Sequence, residues 1–130
     1  MKRLGGWLLI ALALGGAGSC GDGGSGPVAG VLTVSLATPN AGADGAILFS
    51  VSGPQALTSV TAGPGLRVFA QPLSTLTRFA VTGTLTNGAV VTIGVVDTRN
   101  VAQYRATVQA VAAPEFQLRS LAGYSLTVSQ

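Results

Sequence analysis

From residue 30 onward apolar residues recur at every second position, and this alternation limits the fold more than any other feature of the chain. A period of two belongs to strands with one buried face; a helix would need a period near 3.6. Residues 30–38 place Leu32, Val34 and Leu36 on one face and Thr33 and Ser35 on the other. Residues 44–52 place Ile47, Phe49 and Val51 together, and residues 77–85 place Phe79 and Val81 together. Residues 56–62 form a weaker run that Gly63-Pro64-Gly65 ends, and residues 66–71 resume extended structure. Residues 89–97 are nearly all apolar, as expected of a strand at a sheet centre. Residues 104–111 turn Tyr104, Ala106 and Val108 inward, and residues 116–119 and 124–129 close the chain.

Turn signals separate these runs about every ten residues, and no helical period intervenes. The fold expected is all-β: a single Ig-like β-sandwich of seven or eight antiparallel strands, with a small barrel as the alternative. Asn87-Gly88 is the clearest turn and reads as a hairpin. A two-residue loop would set Phe79 opposite Val96. A three-residue loop with Gly88 as a bulge would set Phe79 opposite Val95 and Val81 opposite Ile93, and it keeps the apolar face in phase. Pro114-Glu115 can open one short turn of helix. The expected core joins Ile47, Phe49, Phe79, Val81, Ile93, Tyr104, Val108 and Leu126.

The N-terminal residues are of another kind. Lys2 and Arg3 precede an unbroken apolar run at residues 7–14, small residues fill 15–19, and Cys20 follows. The run is too short for a permanent span, which needs ~20 apolar residues, and it suits a removable secretion signal. Ala17-Gly18-Ser19-Cys20 resembles the lipobox of bacterial lipoproteins, which implies cleavage before Cys20 and lipid on its thiol. Ordinary secretory cleavage is the alternative, because Ala17 and Ser19 are also small and two apart. Cys20 is the only cysteine, so no internal disulfide can form, and lipidation accounts for both its number and its place. The expected organisation is a signal at 1–19, the lipidated cysteine and a flexible Gly/Ser tether at 20–29, and the sandwich at 30–130. The implied address is a bacterial membrane, the outer one where two exist, since Gly21 is not the aspartate associated with inner-membrane retention.

Two stretches resemble cohesin modules, β-sandwiches that bind dockerin partners in bacterial extracellular assemblies. They are DGAILFSVSGPQALTSVTAG at 44–63 and RFAVTGTLTNGAVVTIGVV at 78–96. The resemblance implies a cohesin-like sandwich with a partner-binding role, and it transfers no binding residue.

Composition narrows the function. Only 8% of the residues are charged, against roughly a quarter in ordinary domains, so solubility rests on hydroxyls and amides and the surface is prone to association. Once the signal is removed no lysine remains, and Arg67, Arg78, Arg99, Arg105 and Arg119 face Asp22, Asp44, Asp97 and Glu115. The arginines are dispersed along the sequence, without the basic stripe of a nucleic-acid binder. The lack of histidine removes a histidine-based nucleophile and, with the cysteine used, a zinc site. Asp44, Asp97 and Glu115 read as turn or strand-end residues, not as a catalytic pair. Asn40, Asp44 and the glycine-rich loop between them could offer oxygens to calcium, but one carboxylate is too few, and the loop reads as a connector. Tyr104 and Tyr124 read as core residues, and Arg99-Asn100 as a solvated loop tip.

The sequence thus points to a non-enzymatic, lipid-anchored envelope protein without cofactor or metal. It would join the membrane through Cys20 and a protein partner through its strands or loops. A carbohydrate- or small-ligand-binding lipoprotein is the competing reading, and an exposed apolar cleft with convergent polar groups would favour it.

Overall fold

The computed structural model describes residues 26–130. The signal at 1–19, Cys20 and tether residues 21–25 lie outside them. The described residues form an all-β sandwich. Its strands are β1 (Gly30–Ala37), β2 (Asp44–Ser52), β3 (Ser59–Ala62), β4 (Arg67–Leu73), β5 (Leu76–Leu85), β6 (Gly88–Val95), β7 (Arg105–Ala112) and β8 (Ser125–Ser129). A 3-10 helix, Thr98–Gln103, lies between β6 and β7. One antiparallel sheet has the order β3-β6-β1-β8, the other β4-β5-β2-β7.

The inward residues of both sheets make one core. Leu32 and Val34 of β1 and Val91 and Ile93 of β6 meet Ile47 and Phe49 of β2 and Phe79 and Val81 of β5. Phe49 and Phe79 are cross-strand partners whose rings stack with centroids 4.9 Å apart. Tyr104 is buried in the same cluster, and Val108 and Leu126 pack against it half-buried. The nearly all-apolar run in β6 has a local cause besides its central place. The register with β1 shifts beside Val34, which leaves Val90 without a partner, and both Val90 and Val91 are buried.

Three local expectations are corrected. First, Asn87-Gly88 is not the turn of a hairpin: β5 and β6 lie in different sheets, and Phe79 faces Phe49 and Ala70, not Val95 or Val96. Each strand already has two neighbours in its own sheet, so pairing them would displace one. The chain crosses between layers here. Asn87 Oδ1 accepts the Thr38 amide at 2.7 Å, tying the crossing to the end of β1. Just before it, Gly83 takes φ +131° in the bulge where the β2–β5 register shifts. The true hairpin joins β4 to β5 through Ser74-Thr75, with Leu73 paired to Leu76. Every other connection between consecutive strands changes sheet.

Second, Pro114-Glu115 opens a tight turn closed by the Phe116 amide donating to the Ala113 carbonyl, not a turn of helix. The short helix is instead at Thr98–Gln103, where the Asp97 side chain caps it by accepting the Arg99 amide. Third, residues 116–119 form no strand but a single bridge, Ala112 to Leu118.

Candidate functional site

Among the described residues, polar chemistry gathers at three places: the two ends of the sandwich and one outer face. At one end Asp44, the first residue of β2, is buried with its side chain fully enclosed. Its carboxyl oxygens accept from Thr38 Oγ1 at 2.6 Å, Arg119 Nε at 3.0 Å and Tyr124 Oη at 2.9 and 3.0 Å. Asn40 Nδ2 donates to the same Tyr124 oxygen, and Arg119 also donates to the Ala43 carbonyl. Asp44 is therefore more than a strand-start residue, and Tyr124 turns its polar tip onto a buried acid. Asn40 and Asp44 do come together, but the acid's lone pairs are taken by hydroxyls and a guanidinium, an arrangement that suits a clamp on the segment before β8. Among the described residues no group of three His, Cys, Asp or Glu converges.

At the opposite end Asp97 bonds the Arg99 guanidinium through both oxygens at 3.0 Å and accepts the Val28 amide at 3.3 Å. The Arg99 hydrogen bond holds its carboxyl down at about 2, and its partner's guanidinium is correspondingly raised. The contact fixes the point where the chain enters β1, since Val28 also accepts from the Thr98 amide. Arg99 thus belongs to a capped 3-10 helix instead of a free loop tip. Beside it, the Tyr104 hydroxyl is buried without a partner, and burial pushes its ionisation up. Its ring fills the space over Gly53, where any Cβ would meet ring carbons at 2.3 Å.

The third place is the outer face of the β4-β5-β2-β7 sheet, which sequence reasoning passed over. Cross-strand registers set its residues in rows. Arg67, Thr82, Ala46 and Ala112 make the first, and Phe69, Ala80, Leu48 and Ala110 the second. Gln71, Arg78, Ser50 and Thr107 make the third, and Arg105 shares the last with Ser52 and Leu76. In the second row small Ala80 lies between Phe69 and Leu48, which are 60% and 47% exposed. Large residues flanking a small one leave a shallow cleft of about 370 Å³, with Gln71, Arg78 and Gln109 also on its walls. That volume is within the ~300–1,000 Å³ range of ligand sites. Gln109 reaches the wall because the β2–β7 register shifts beside it.

The arginines explain why this face differs. They are dispersed in sequence, yet Arg67, Arg78 and Arg105 all project from these strands, while Arg99 and Arg119 are paired to Asp97 and Asp44 elsewhere. No acidic residue stands in the four rows. The signal was present in the sequence, since each arginine sits on the outward phase of its strand, but only the strand order brings the three together. No protein-family model matches the chain, and neither a curated protein nor a solved structure matches it.

Proposed function

We propose that this chain is a non-enzymatic, lipid-anchored binding module of the bacterial cell envelope, working through the outer face of its β4-β5-β2-β7 sheet. The observation that carries this reading is the cleft between Phe69 and Leu48, edged by Arg78, Gln71 and Gln109, over an interior filled by the core. Aromatic and aliphatic side chains left in water on a sheet face, with polar groups converging on them, are the usual material of a recognition site. The non-enzymatic part rests on inventory. There is no histidine in the chain, and Asp44 and Asp97 are committed to bonds that hold loops. The anchoring part rests on the lipobox-like residues ending at Cys20.

Between the two binding roles the sequence left open, the cleft favours a ligand or saccharide over a flat protein scaffold. Two measurements test the proposal. Mass spectrometry of the membrane fraction should find Cys20 as a lipidated N-terminus; an unmodified Cys20 would remove the anchor. Purified protein without the lipid should co-sediment with isolated envelopes through this face alone, and Phe69→Ser with Leu48→Ser should abolish this while leaving thermal unfolding unchanged. Equal sedimentation of wild type and variant would remove this face from the function.

A further inference from the structure

Resting on that reading, we propose that the cleft face takes an acidic saccharide chain, with Phe69 as the ring platform and Arg67, Arg78 and Arg105 as the carboxylate sites.

Charge argues first. Three exposed arginines without an acid in their rows leave a positive field over the face, because the remaining arginines of the described residues are neutralised within the fold. A neutral ligand would leave that field unused, and an anionic one is drawn to it. Guanidinium is also the cation that pairs with a carboxylate through two parallel bonds.

Spacing argues next. From strand rise and separation, the backbone positions of Arg67 and Arg78 lie roughly 14 Å apart, and those of Arg78 and Arg105 roughly 12 Å. Such intervals are longer than one sugar ring, so the ligand they suit is a chain that meets each arginine with a different carboxylate. Single-stranded nucleic acid asks for successive aromatic platforms, and this face offers one, Phe69.

Shape argues last. The apolar residues wall a recess over Ala80, and Gln71 and Gln109 line it with amides. A membrane surface would be met better by apolar side chains standing proud of their surroundings. A sugar ring enters such a recess with its apolar face on Phe69 and its hydroxyls toward the amides.

Calorimetric titration of the purified protein with a hexamer of galacturonate tests this, with maltohexaose, anionic phospholipid vesicles and a DNA oligonucleotide as parallel probes. The acidic hexamer should bind, weaken with added salt, and outcompete the neutral hexamer. Arg78→Gln and Phe69→Ser should each weaken it by about tenfold or more. Arg99→Gln, which removes the same charge off this face, should stay within about twofold of wild type. Equal binding of acidic and neutral hexamers, or an equal loss from Arg99→Gln, would overturn the proposal. Binding of vesicles or DNA with no binding of the hexamer would overturn it too and name the other class. If the hexamer fails while Phe69→Ser still abolishes envelope co-sedimentation, the saccharide is wrong and the face is right; if neither responds, both readings fall.

Discussion

The two outer faces of this sandwich come from the same alternation and end with unlike chemistry. On the β3-β6-β1-β8 sheet one row reads Thr61, Thr92, Thr33, Ser129, and Ser35 and Thr127 stand side by side in another. No charged residue appears among those paired positions. On the β4-β5-β2-β7 sheet the same outward phase holds three arginines, an exposed phenylalanine and an exposed leucine. Threonine ladders give β-propensity and cross-strand contacts, and they bring neither charge nor aromatic surface. Arginine beside aromatic surface is the composition of recognition sites. Alternation decides which residues face out; what the outward residues do is decided sheet by sheet.

The comparison breaks most readily at two phenylalanines of opposite phase. Phe79 is buried against Phe49, and Phe79→Ala should cost ~3–5 kcal/mol of unfolding free energy. Phe69 faces water, so Phe69→Ala should change stability by less than ~1 kcal/mol while removing binding. Urea denaturation reads both, and a large loss from Phe69→Ala would mean that the outer face is part of the core.

The ends of the sandwich offer smaller tests. Asp44→Ala strips a buried network of its acceptor and should lower stability by ~2–3 kcal/mol in the same assay. Tyr124→Phe removes only the hydroxyl shared by Asp44 and Asn40, for a loss of ~1–2 kcal/mol. Tyr104→Phe deletes a hydroxyl that has no partner and should be neutral or slightly stabilising. None of the three should alter binding at the cleft face.

The pH dependence is the least of these effects. The Asp97 carboxyl is held down at about 2 by the Arg99 hydrogen bond. Because the folded state binds this proton more weakly than the unfolded state, the contact stabilises fully above pH ~4 and is lost as the pH falls toward 2. Asp97→Asn should therefore lower the melting temperature at pH 6, with the gap to wild type closing as the pH falls through about 2. A gap that stays constant with pH would mean that the loss does not come from the ionised carboxylate.

Much of the fold was legible, for a local reason. In-out alternation is written residue by residue, so Leu32, Ile47, Phe79 and Ile93 could be placed inside before any partner strand was known. Strand pairing is not written that way. Asn87-Gly88 carries the strongest hairpin signal in the chain and marks a crossing between sheets, while the real hairpin turns on Ser74-Thr75, which carries none. A turn dipeptide records local backbone freedom, and both a hairpin and a crossing need that. The candidate site was illegible for the same reason. Arg67 and Arg78 share a hairpin that the sequence did not reveal, and Arg105 joins them on one face only through the order β4-β5-β2-β7. Asp44 gave no hint of burial either, because its partners Arg119 and Tyr124 come from the far end of the chain.

The central claim is that one outer face binds and the other does not. Amide chemical-shift mapping by NMR during titration with the galacturonate hexamer tests it most directly. The account predicts shifts concentrated at Leu48, Phe69, Arg78, Ala80 and Gln109, with Thr33, Thr61 and Thr92 unmoved. Shifts centred on those threonines, or spread evenly over both faces, would contradict it.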